Sequence, residues 1–206
     1  MFKEMSEAEV LKLFQTCQIN SWLSADDFFG AENKYWTPEF EKACFDSTRC
    51  LNSLTISFKK RGEAKCLKFY QNLQCLKILH VTHYVSNVSL LPRLPPAIFI
   101  GTPFLHSAND DSPDLLINLA QKTKDFPLSY FCSKIRFAPS DVQQFLQNGV
   151  FYGQCSFIFH IDPEEHDSFE EIFTSFGARK SSVSGFRIPA LDSDKNVAEF
   201  SVLLTY

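Results

Sequence analysis

Apolar and polar residues alternate in several short runs along the chain. Leu51, Leu54 and Ile56 form the pattern L-x-x-L-x-I, and Leu73, Leu76 and Ile78 repeat it 22 residues later. Ile98 and Ile100 restore the last two apolar positions after another such interval, with Pro95 in place of the leading leucine. Ile135 and Phe137 stand at the same interval from Phe157 and Phe159. Period-two apolarity describes a strand with one buried side. A recurrence of about 20–29 residues is that of leucine-rich-repeat-like units holding one strand and one helix each.

Between the strands the apolar period changes to that of a helix. Ser140 precedes Val142, Phe145 and Leu146, with Gln143 placed to complete a capping box and Asn148-Gly149 as the stop. Ser168 and Glu171 repeat the grammar around Phe169, Ile172, Phe173 and Phe176, ending at Gly177. Ser112-Pro113 opens a helix with the stripe Leu115, Leu116 and Leu119. Near the N-terminus, Val10, Leu11, Leu13, Phe14 and Cys17 predict an amphipathic helix, and Thr37-Pro38 starts another through Phe40, Ala43 and Cys44.

Strands joined through helices run parallel, because antiparallel neighbours need only a tight turn. The expected fold class is therefore α/β: a leucine-rich-repeat-like stack of strand-helix units with a mainly parallel sheet. An N-terminal helical cap occupies residues 1–45 and the repeat domain residues 46–206. A C-terminal β-hairpin closes it, pairing Gly185 to Pro189 with Val197 to Leu204 through the polar turn Asp192 to Asn196.

Composition narrows the class. At 206 residues the chain can bury a substantial core, and its 22 phenylalanines predict an aromatic one. A net charge of −4 supplies no broad cationic field, which argues against nucleic acid as the main partner. Lys3, Glu4, Glu7 and Glu9 do not make a secretory leader, and no run approaches a membrane span. Seven scattered cysteines, an odd number, suggest a reducing, cytoplasmic or nuclear setting.

The tail from Phe137 onward resembles the FTH domain, the α/β module that follows the F-box in many nematode proteins. Arg136 to Leu146 looks like the family's strand leading into a helix, and Gln154 to Asp162 like its aromatic strand. Phe169 to Gly177 resembles its short helix, Gly185 to Pro189 its most recognisable motif, and Glu199 stands in the last strand. The resemblance implies the substrate-recruiting or partner-recruiting half of an F-box-type ubiquitin-ligase adaptor. Its other half would dock on a Skp1-type protein, but residues 1–45 show no F-box: the leucine-proline entry and the later basic and apolar cluster are missing.

The catalytic and metal constellations in the chain have plainer readings. His80 and His83 lie three apart near Cys75, without the further ligand spacing of a zinc site. Cys155, His160 and Asp162 contain the residue types of a thiol nucleophile, base and orienting acid, but strand parity sends Cys155 and His160 to opposite sides. No phosphate-binding glycine motif is present. Lys59 to Arg61 and Arg179-Lys180 are compact basic groups that read as turns.

These features predict a non-enzymatic domain with no cofactor and no metal, whose partner is another protein. A cryptic cysteine-dependent hydrolase or transferase and an RNA-binding accessory domain are the alternatives. Sheets of this kind present one face for binding. The positions expected to point outward are Thr55, Ser57, Lys77, Leu79, Phe99, Arg136, Ile158 and His160.

Overall fold

A computed structural model describes residues 6–24, 36–56, 63–82, 85–101, 114–189 and 199–205. The chain is α/β and divides into two compact units, Met1–Tyr84 and Val85–Tyr206. The expected boundary at residue 45 falls inside a helix of the first unit, Pro38–Thr48.

In the first unit the order is α1 (Glu7–Thr16), β1 (Trp22–Ser24), α2 (Pro38–Thr48), β2 (Ser53–Ile56), α3 (Glu63–Asn72) and β3 (Ile78–Val81). The three strands pair in chain order, all parallel. The starts of α1 and α2 have local causes. Ser6 and Glu9 form a capping box at α1, the Ser6 N–H donating to Glu9 Oε2 at 2.7 Å. At α2 the Thr37 hydroxyl accepts the Phe40 N–H at 3.2 Å, and Pro38 occupies the first turn, where its missing N–H is harmless. Phe14 of α1 meets Phe40 of α2 edge-on at 5.4 Å, and Phe45 of α2 meets Phe69 of α3 at 5.7 Å.

The strand register departs from the even period that the sequence suggests. Leu54 lies opposite Leu79 and not opposite Leu76, its counterpart in the repeated pattern, which precedes β3. The shift from Leu76 to Leu79 is odd, so it exchanges the two faces of the strand. Leu79 and Val81 are fully buried beside Leu54 and Ile56, while Ile78 and His80 turn to the other side. Asn52 helps set this register. Its carbonyl accepts the N–H groups of Lys77 and Ile78 at 2.8 and 3.0 Å, and its side chain donates to Asn20 O at 2.7 Å.

The second unit runs from a 3-10 turn, Val85–Leu90, through β4 (Ala97–Ile100), α4 (Leu115–Thr123), β5 (Leu128–Arg136), α5 (Pro139–Asn148) and β6 (Phe151–His160). It continues with α6 (His166–Ser175), β7 (Arg179–Lys180), β8 (Gly185–Pro189) and β9 (Glu199–Thr205). Spatial order is β4-β5-β6-β9-β8-β7. The first three pairings are parallel and the last two antiparallel. The expected hairpin of β8 and β9 is present, but β9 enters the sheet parallel to β6 and leaves β7 on the edge. The turn Asp192 to Asn196 lies outside the described residues.

Here too the strand spacing is uneven. Phe131 lies opposite Ile98 on one side and Phe157 on the other, and both intervals along the chain exceed the expected period. Ile135 stands near the end of β5 and Phe137 follows the strand, because the register with β6 shifts between Ser133 and Arg136. Ser133, buried, holds that irregularity, its hydroxyl accepting the Ile135 N–H at 3.0 Å.

The core is aromatic, as the composition predicts. Phe131, Phe145, Phe157 and Phe159 are essentially inaccessible, and α5 meets the sheet through Phe145, 5.4 Å from Phe131 and 6.0 Å from Phe157. Helix α6 meets the same face where Phe173 lies 5.1 Å from Phe186. Helix α5 starts earlier than its serine suggests. Pro139 takes the first position, and neither Ser140 nor another side chain caps it. Gly149 is extended rather than left-handed, and a Cβ there would stand 2.8 Å from Phe145 O and 2.3 Å from the Phe151 ring. Gly177 is left-handed, φ +76°, which a stop after α6 favours.

Candidate partner-binding face

Parity sorts each strand of the second unit into two sets. Ile98, Phe131, Cys155, Phe157, Phe159, Val202, Leu204, Phe186 and Ile188 are buried on the helix-bearing face. Register aligns the alternate residues in rows across the opposite face. One row is Phe99, Cys132, Ile158 and Leu203; the next is Ala97, Tyr130, Ser156, Ser201, Arg187 and Arg179.

The rows differ in chemistry. Phe99 and Tyr130 pack with ring centroids 4.8 Å apart, and with half-exposed Ile158 and Leu203, which is 40% exposed, they form an aromatic and aliphatic strip. Beside it a cleft of about 630 Å³ opens between β6 and the β9-β8-β7 edge. Gln154, Ser156, Ser201, Arg179 and Arg187 supply its polar lining. Ser156 and Ser201 hydroxyls stand 3.2 Å apart, and Arg179 lies directly opposite Arg187 in the antiparallel ladder. This edge therefore carries two guanidinium groups at facing positions.

The expected outward residues have separate fates. Phe99, Ile158 and His160 are half-exposed on the face opposite the helices, and Arg136 is exposed. Arg136 donates to Asp162 Oδ2 at 2.6 Å, and the Thr205 hydroxyl lies 3.5 Å from His160 Nδ1. In the first unit Thr55 also faces outward, its hydroxyl accepting the Trp22 indole N–H at 3.2 Å. Lys77 is exposed but precedes β3, and Ser57 lies outside the described residues. Leu79 is a correction: it is fully buried because the register places it with the core set.

Sequence spacing does not single out Trp22, Ile78 and His80 in the first unit, nor Tyr130, Cys132, Leu203, Ser201, Arg179 and Arg187 in the second, as residues of these outward faces. Arg187 carries a signal, standing between Phe186 and Ile188 in a period-two run. Arg179 carries none, because so short an edge strand has no period.

The candidate thiol site does not assemble. Cys155 is buried, and burial pushes its thiol up to about 12, so a thiolate is strongly disfavoured at neutral pH. His160 lies on the opposite sheet face, and Asp162 is engaged by Arg136. Burial holds the His80 imidazole below its usual value. His83 and Lys59 to Arg61 lie outside the described residues. Among the described residues no helix is long and apolar enough to cross a membrane.

Protein-family models, curated proteins and solved structures contain no match for this chain.

Proposed function

We propose that the chain is a protein-binding module that recruits a partner on the sheet face opposite its helices. The observation that carries this reading is the apolar strip of Phe99, Ile158 and Leu203 lying in one register row, with Tyr130 packed on Phe99, beside the arginine-lined cleft. An aromatic anchor flanked by polar groups is the usual anatomy of a protein interface. The fitting occupant is a partner segment with an apolar side chain for the strip and a carboxylate for Arg179 and Arg187, since guanidinium groups match carboxylates in bidentate geometry.

Parallel strands with helices packed on one face support a leucine-rich-repeat-like stack, with strand spacings that vary from unit to unit. The resemblance of the tail to the FTH domain supports a role as the recruiting half of an F-box-type ubiquitin-ligase adaptor. The buried, protonated Cys155 weighs against a cysteine-dependent enzyme at that site.

The test compares capture of cell proteins by the full chain with capture by Phe99→Asp and Arg187→Glu. One partner present with the parent and lost with both variants, at unchanged melting temperature, supports the reading. Skp1-type and cullin components in the captured set support the adaptor role. A partner retained by both well-folded variants refutes the face.

A further inference from the structure

We propose that Cys50 and Cys75 form a dithiol site that takes up a disulfide by exchange with a low-molecular-weight disulfide such as oxidised glutathione. The two cysteines come from separate stretches of the first unit, after α2 and after α3, and the backbone brings them together. The Gln74 N–H donates to Arg49 O at 2.8 Å, one residue before each cysteine. The Asn52 carbonyl fixes the following strand through Lys77 and Ile78. Hydrogen bonding with the Cys75 thiol, then its charge and burial, pushes the Cys50 thiol up.

Accessibility separates this pair from the buried cysteines. Cys75 is exposed and Cys50 half-exposed, whereas Cys44, Cys66 and Cys155 are buried. Both are free thiols, and the described residues contain no group of three or more metal-ligating side chains. Two accessible thiols without further ligands favour redox chemistry over a structural metal. Cys50 also stands as far before Leu54 as Cys75 stands before Leu79, and Leu54 lies opposite Leu79, so the two cysteines precede paired strand positions by the same number of residues.

The exchange balances. Cys75, the more exposed thiol, attacks one sulfur of the small disulfide as its thiolate, forming a mixed disulfide and expelling one thiolate. Cys50, as thiolate, then attacks Cys75 Sγ, closing the Cys50–Cys75 bond and expelling the second. The two protons lost by the cysteines end on the two released thiols. The protein is oxidised by two electrons and the small disulfide is reduced by two.

The full chain should be incubated across a range of oxidised-to-reduced glutathione ratios, alkylated, digested without reduction and analysed by mass spectrometry. The expected result is a Cys50–Cys75 linked peptide, formed reversibly with one midpoint, and a melting temperature raised by several degrees that dithiothreitol restores. Cys50→Ser should instead leave Cys75 as a persistent glutathione adduct with no rise in melting temperature. Separate adducts on both cysteines of the parent chain, linkage to a different cysteine, or no reaction would each overturn the proposal.

Discussion

Leu79 and Phe99 are both apolar strand residues, but parity within its own strand buries Leu79 and leaves Phe99 half-exposed. Replacing each by aspartate separates core from surface. Leu79→Asp puts a charge among fully buried side chains and should cost about 4 kcal/mol or more, read as loss of the cooperative unfolding transition. Phe99→Asp gives up a half-exposed ring contact with Tyr130, worth about 1 kcal/mol, and should retain a sharp transition. His80 adds a pH signature. Burial lowers its folded pKa below 6.5, so the unfolded chain binds the proton more readily. The stabilising contribution is fully present above pH 6.5 and is lost as pH falls toward the folded value. The urea midpoint of His80→Asn should therefore fall less than that of the parent when the pH is taken from just above neutrality to well below 6.5.

Within elements, cross-chain contacts fix what local propensity leaves open. Helices α2 and α3 are clasped where Glu41 of α2 accepts from Lys68 of α3 and, at 2.9 Å, from Trp36. The Lys68 hydrogen bond, then that of Trp36, holds the Glu41 carboxyl below its usual value of 4.5. Its stabilising contribution is present above pH 4.5 and disappears as pH falls through the depressed value. Glu41→Gln should flatten that acid limb while leaving the His80 limb intact, which a pH series of melting temperatures separates. The β7-β8 edge carries a second consequence. Arg179 is exposed on a short edge strand, so Arg179→Gln should leave the melting temperature nearly unchanged at low and at high salt. The same substitution should weaken partner binding, which separates recognition from stability.

At the scale of the molecule, each unit keeps its apolar set on one side of its strands. In the second unit one face goes to Phe145 and Phe173, and no helix among the described residues packs on the other. If that face recruits an acidic segment, the affinity of the full chain for the captured partner should fall several-fold when salt is raised about tenfold from low ionic strength, as expected for charge-assisted contacts at a rim. Salt-independent binding would assign recognition to the apolar strip alone.

Hydrophobic periodicity and composition suffice for the α/β class, the mainly parallel pairing, the helix stripe at Val142, Phe145 and Leu146, the aromatic core and the β8-β9 hairpin. Those features follow from local pattern, because a period of two or of 3.6 decides which side of an element is apolar. Register is a different matter. The repeated L-x-x-L-x-I pattern at Leu73 to Ile78 points to Leu76 as a strand position, yet Asn52 and the Gln74-Arg49 bond start β3 at Ile78, moving Leu79 into the core and His80 to the outside. The arginine cleft is likewise hidden, since Arg179 and Ser201 are ordinary polar residues until β9 inserts between β6 and β8. Short-range spacing in the sequence determines the faces of an element, whereas which faces meet depends on pairings between distant segments, and only the tertiary structure selects those.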